Sequence, residues 1–160
     1  MSTTPSLSAA ATGSRQFSTF YVDGLYFGVE VLKVQELIRY QDMTRVPLAP
    51  GVIRGLINLR GQIVTAIDMR RRLDMHEPPA DRLPMNVVVR TDDGAVSLLV
   101  DEIGDVVDVQ QEQFEAAPET IRGRANDLVT GVYKMTGRLL LVLDVERAVS
   151  VERPGARAAA

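Results

Sequence analysis

Few residues in this sequence could do covalent or metal chemistry. The only histidine, His76, stands in a loop flanked by Pro78 and Pro79, and there is no cysteine to join it as a ligand or nucleophile. It is read as a surface loop residue. No Gly-x-Ser-x-Gly elbow, Walker loop or Gly-x-Gly-x-x-Gly dinucleotide turn occurs. Four carboxylates, Asp101, Glu102, Asp105 and Asp108, crowd one segment where a divalent cation and a metal-dependent hydrolase are conceivable. Their spacing lacks the alternation of a calcium loop, and an acidic strand edge that resists aggregation is the plainer reading. The basic run Arg70-Arg71-Arg72 could face a phosphate, but it follows Asp68 and is placed on the solvated face of a short helix. These absences weigh against an enzyme. No metal and no cofactor is expected.

The remaining chemistry is that of recognition. Arg60 falls at a predicted hairpin tip, where a purely structural turn would more often carry Asn, Asp or Gly. Glu36 is its strongest candidate partner, and Val34 and Val106 lie among polar neighbours in comparable strands of the two halves. Two readings stay open: a partner-binding surface, or a solvated turn arginine beside two core valines.

These residues need a scaffold, and the sequence supplies one twice. GLINLRGQIVTAID, residues 55–68, returns as GVYKMTGRLLLVLD, residues 131–144. Both copies open on glycine, turn on a second glycine and close on an aspartate. Leu56 matches Val132, Leu59 Met135, Ile63 Leu139, Val64 Leu140 and Ile67 Leu143. Each copy reads as strand, turn and strand, with Asp68 and Asp144 capping short helices over 69–73 and 145–149.

Upstream, Asp23-Gly24 and Asp92-Asp93-Gly94 mark two further hairpins, the first starting near Phe17. Matching Gly24 with Gly94 and Val29-Glu30 with Val100-Asp101 extends the duplication over the ordered chain. Residues 31–38 fit either a helical stripe or a bent strand, and 101–109 is a third extended segment. Proline places loops at 41–52 and 78–84. Residues 110–126 read as a polar connection without strong structure. The class is mainly β, and strand exchange between two small units is one way to give each enough core.

With 160 residues, 46% of them apolar, a core is attainable. A net charge of −3 argues against a dedicated nucleic-acid binder. The start has neither the basic nor the apolar region of a secretory signal, and no run is long enough to span a membrane. A cytoplasmic protein is expected, with flexible tails at 1–15 and 151–160 around a domain over 16–150.

The segments Phe27-Gly28-Val29-Glu30-Val31-Leu32-Lys33-Val34-Gln35-Glu36, Gly55 with Asn58-Leu59-Arg60-Gly61, and Ile67-Asp68-Met69-Arg70 resemble the CheW-like chemotaxis coupling proteins. Leu98-Leu99-Val100-Asp101, Asp105-Val106, Gly131-Val132 and Leu143-Asp144 fit later blocks of that family. The resemblance implies two intertwined five-stranded SH3-like β-barrels with short helices. It implies a non-catalytic adaptor between chemoreceptor cytoplasmic tips and the regulatory domain of a CheA-type histidine kinase, recruited to membrane-associated receptor arrays without inserting in the membrane. Carried over by motif, the receptor groove takes in Val34, Glu36, Arg60 and Val106, and the kinase side takes in Gly55, Leu56 and the strand around Val87. Many members have proline where Thr65-Ala66 stands here, a difference outside the groove positions. The competing reading is a small β-barrel that binds single-stranded nucleic acid, which asks for exposed aromatics beside cations; aromatics are only 5% of this chain.

Overall fold

The computed structural model describes residues 14–79, 81–118 and 124–150. Ten strands are seen there: β1 (Ser14–Val22), β2 (Leu25–Glu30), β3 (Val34–Ile38), β4 (Ile53–Leu59), β5 (Gln62–Asp68), β6 (Met85–Thr91), β7 (Gly94–Val100), β8 (Glu102–Gln110), β9 (Val129–Met135) and β10 (Arg138–Leu143). Three short helices follow β5, precede β9 and follow β10: α1 (Met69–Arg72), α2 (Arg124–Leu128) and α3 (Val145–Val149).

The strands form two five-stranded sheets, ordered β8-β1-β2-β10-β9 and β3-β6-β7-β5-β4. Adding five to each strand number, counted cyclically, turns one order into the other. The duplication read in the sequence is therefore a duplication of topology, and the repeats are interleaved. Each sheet takes a hairpin from one repeat and three strands from the other. The joins are equivalent in the two sheets: parallel pairs of β10 with β2 and β5 with β7, and antiparallel pairs of β8 with β1 and β3 with β6. This is the mainly β, SH3-like, intertwined architecture expected.

Both faces of each sheet are covered, and the side chains show it with period two. Leu98 and Val100 enter a core shared by the two sheets, while Leu99 enters a smaller cluster with Ile57 and Val64. Likewise Leu141 and Leu143 join the shared core, and Leu140 and Val142 pack with Phe17 and Tyr133 in the other sheet's own cluster.

Four expectations need correcting, and one open alternative is resolved. The first described strand starts at Ser14, ahead of Phe17: Ser14 and Arg15 pair with Gln110 and Val109 on β8, which places both inside β1 and outside the expected tail, whose residues 1–13 lie outside the described residues. The ambiguous 31–38 segment is a single 3-10 turn at Val31–Lys33 leading into β3, so the strand reading holds. The expected loose connection ends in α2, whose Ala125 and Leu128 are buried in the shared core; short length and a preceding glycine had hidden it. The hairpin correspondence also shifts. Leu141 lies beside Phe27 and Thr65 beside Val96, which sets Phe27 equivalent to Val96 and Val29 to Leu98 rather than to Val100. The turns differ, with Asp23 and Gly24 both at positive φ (49° and 83°) in one hairpin and Gly94 (115°) in the other.

The last correction concerns Arg70-Arg71-Arg72, of which only Arg71 is exposed to solvent. Arg70 is buried and forks onto Asp101 through Nε at 2.9 Å and Nη2 at 2.6 Å. Its Nη1 donates to the His76 carbonyl at 2.9 Å. Asp101 also accepts from the Asp23 N–H at 2.7 Å, so one carboxylate ties the β1–β2 turn to the end of β5 in the opposite sheet. Burial works to raise the Asp101 carboxyl's pKa, but the Arg70 hydrogen bonds, the Asp23 N–H and the charges of Arg70 and Arg82 hold it below the ordinary range. Asp101 thus leaves the acidic edge, while Glu102, Asp105 and Asp108 remain exposed on edge strand β8. Arg72 donates to the Ala148 and Arg147 carbonyls, capping α3 from α1.

Candidate functional site

The β4–β5 hairpin turns on Arg60 and Gly61, with φ of 53° and 92°. Two consecutive positive values define a type I′ turn, whose twist matches that of the flanking strands. Arginine in the left-handed region is strained by about 1–2 kcal/mol. In the second repeat only Gly137 has positive φ (80°), and Thr136, a β-branched residue, avoids it. Asn58 steadies the first turn by accepting the Gly61 N–H at 2.8 Å.

Arg60 reaches from this tip to Glu36, its Nη2 donating to Oε2. Gln35 donates to Gln62 beside the pair at 3.4 Å. Since β3 and β4 are the two outer strands of their sheet, these contacts mean that the sheet curls until β3 meets the β4–β5 tip. The Arg60 side chain remains 73% exposed against 20% for Glu36, and such a pair adds at most about 1 kcal/mol to stability. Most of the guanidinium's donors point to solvent. The sheet corner therefore presents a cation that is oriented but little used by the fold.

The four groove residues are placed unequally. Glu36 and Arg60 are brought together, as expected. Val34 is half-buried, packs against the shared core and lends its carbonyl to Arg90 at 3.0 Å, so part of its role is structural. Val106 is 53% exposed on β8, the outer strand of the other sheet. β3 and β8 are the two strands through which the chain changes sheets. The apolar side chains open to solvent beside the ion pair in sequence are Leu37 and Ile63, which sequence reasoning passed over. Gln35 and Gln62 were also missed, although each adjoins a singled-out residue.

The kinase-side set divides more sharply. Val87 is fully buried between β3 and β7, so its side chain is core and cannot touch a partner; the apolar run Val87-Val88-Val89 serves two cores, one on each face. Gly55 is buried too, and a Cβ there would lie 2.6 Å from the Thr44 carbonyl oxygen. Its place is fixed by the chain crossing over it, with Thr44 and Leu56 exchanging backbone bonds of 2.9 and 2.8 Å. Of the three, Leu56 alone keeps partial exposure.

His76 is exposed in its loop, and among the described residues no three His, Cys, Asp or Glu side chains gather as a metal ion would require. Arg138 lies 3.9 Å above the buried Tyr26 ring, so the most basic aromatic corner has its ring face already covered. No helix among the described residues is long and apolar enough to cross a membrane.

Comparison with known proteins gives a consistent result. A family model described as a CheW-like domain matches residues 16–153. The chain is 32% identical over 144 residues to chemotaxis protein CheW of Klebsiella aerogenes, covering 90% of this chain and 87% of that protein. It is 30% identical over 141 residues to chemotaxis protein CheW of Bacillus subtilis, covering 88% and 90%. The crystal structure of scaffolding protein TtCheW from Thermoanaerobacter tengcongensis superposes with a TM-score of 0.78 at 21% identity, over 86% of this chain and 94% of that one, a likeness of fold.

Proposed function

The chain belongs to the CheW-like domain family, and from that premise we propose that it is a non-catalytic adaptor in chemotaxis signalling. It couples the cytoplasmic tips of chemoreceptors to the regulatory domain of a CheA-type histidine kinase, and works in the cytoplasm at receptor arrays. The observation that carries this reading is Arg60, held in a strained turn yet contributing little to stability. A position that costs the fold energy and leaves its charge in solvent is suited to a partner. Glu36 sets its direction, and the guanidinium offers a forked, charge-assisted bond to a receptor carboxylate or carbonyl. Apolar surface along β3 and β8, including Val34 and Val106, supplies burial. Leu56 and its neighbours on the outer strand β4 form the kinase face, with Gly55 and Val87 supporting it from within.

Arg60→Asn separates function from folding, since Asn-Gly is the preferred type I′ pair. The variant should melt at or slightly above the wild-type temperature. It should also lose about tenfold or more in co-sedimentation with a receptor cytoplasmic fragment, and kinase recruitment should fall with it. Undiminished recruitment by the folded variant would remove Arg60 from the site.

A further inference from the structure

A cleft of about 740 Å³ lies away from the Glu36–Arg60 corner, between the loop preceding β4 and the end of α1. A second hollow of about 210 Å³ shares Tyr40, Arg54 and Glu77 with it, so the two make one continuous groove. The ends of the groove are alike. Arg45 and Leu48 stand at one end, Arg82 and Leu83 at the other. Leu48 is 89% exposed and Leu83 61%, large for apolar side chains without a packing role. Leu48 is also held at a φ of 66°, left-handed backbone that a leucine adopts only under constraint.

Charge along the groove is graded by commitment. In its middle Arg54 donates to Asp68 at 3.1 Å, and Arg71 donates to Glu77 at 3.1 Å and to the Gly51 carbonyl at 2.9 Å. The exposed Arg45 and Arg82 side chains make no hydrogen bond or ion pair among the described residues. The groove thus places a guanidinium with no hydrogen bond of its own next to an open leucine at each end, Arg82 acting on Asp101 only through its charge. Its walls are rich in proline: Pro47 and Pro50 at one end, Pro78, Pro79 and Pro84 at the other. Proline walls lack N–H donors, so an occupant's carboxylates have the arginines as their recognition points.

We propose that this groove docks an extended peptide segment of a protein partner, one that carries carboxylates beside apolar side chains. Charge complementarity selects the carboxylates: Arg45, Arg54, Arg70, Arg71 and Arg82 line the groove against the three carboxylates of Asp68, Glu77 and Asp101, which leaves it net positive. The two leucines select an occupant that can bury them, which a small anion or a bare phosphate chain cannot do. The volume fits a few residues of extended chain rather than a packed helix. The surface is separate from the Glu36–Arg60 corner and borders the proposed kinase face, since Ile53 and Arg54 of β4 line it; the inference does not depend on the adaptor reading.

The test uses the full chain and a labelled, capped decapeptide of alternating glutamate and leucine, followed by fluorescence anisotropy and backbone amide NMR. Saturable binding with shifts at Arg45, Leu48, Arg82 and Leu83 is expected. The lysine-leucine counterpart should bind at least about tenfold more weakly, as should the acidic peptide on R45E/R82E. Arg45 makes no hydrogen bond or ion pair among the described residues, whereas the charge of Arg82 reaches Asp101, so R45E alone is measured beside the double variant and the melting temperatures of both are recorded. Equal binding of both peptides, undiminished binding by R45E/R82E, shifts confined to other surfaces, or tighter binding of a thymidine oligonucleotide would each overturn the proposal.

Discussion

At the scale of single residues, charge in this protein divides by burial. Arg60 and Arg70 were both read from the sequence as exposed, and only Arg60 is. The run Arg70-Arg71-Arg72 gave no sign of its fate, because its partners Asp101, Gly51 and the end of α3 are remote in sequence. Asp101 shows what the interior pair does for the fold. Its carboxyl has a lower pKa folded than unfolded, so the unfolded chain takes the proton first as pH falls. The clamp's contribution is complete above roughly pH 5 and is lost as acid carries the solution through the unfolded and then the folded value. Asp101→Asn takes the forked carboxylate from buried Arg70 and leaves it only the more distant Asp23, 3.6 Å away, a loss of about 3 kcal/mol at pH 7. Denaturant unfolding between pH 7 and pH 3 should show the gap between wild type and variant narrowing as pH drops. A constant gap would mean that the carboxylate is not the group responsible.

Among elements, the repeated glycine that opens each strand pair has a reason that neither copy reveals alone. Gly55 lies under the Thr44 carbonyl and Gly131 under Phe114 and the Glu115 carbonyl, each with a projected Cβ 2.6 Å from a backbone oxygen. In both repeats the incoming segment makes one bridge across the outer strand, Thr44 to Leu56 and Glu115 to Val132. Gly55→Ala and Gly131→Ala should each destabilise by about 1–3 kcal/mol in urea titrations, Gly131→Ala more if Phe114 is held firmly. A neutral result at either site would show that the crossing segment yields. The hairpins, the capping aspartates and the repeat itself were legible, since turn chemistry and period are local. The 3-10 turn before β3, the helix α2 and the burial of Val87 were not, because each is decided by what packs from the other repeat.

For the molecule as a whole, topology carries consequences that no segment shows. Residues 14–79 and 81–150 contain β1–β5 and β6–β10, and neither set holds a complete sheet. Expressed separately, each fragment should lack native strand signal in circular dichroism. Mixed, they should recover it with a concentration-dependent midpoint. A fragment that folds alone would contradict the interleaving. The residue pattern alone reached strand exchange only as one option, and the family resemblance supplied the intertwining, because pairing of β10 with β2 or β8 with β1 spans most of the chain and leaves no local mark. The interchangeability of the two strand orders also bears on ancestry. A gene encoding one repeat would produce a chain able to complete its sheets only with a second copy, as a two-fold symmetric dimer. Tandem fusion would turn that encounter into a unimolecular closure at high effective concentration. Only after such a fusion could the copies diverge, leaving an arginine at one hairpin tip and a threonine at the other.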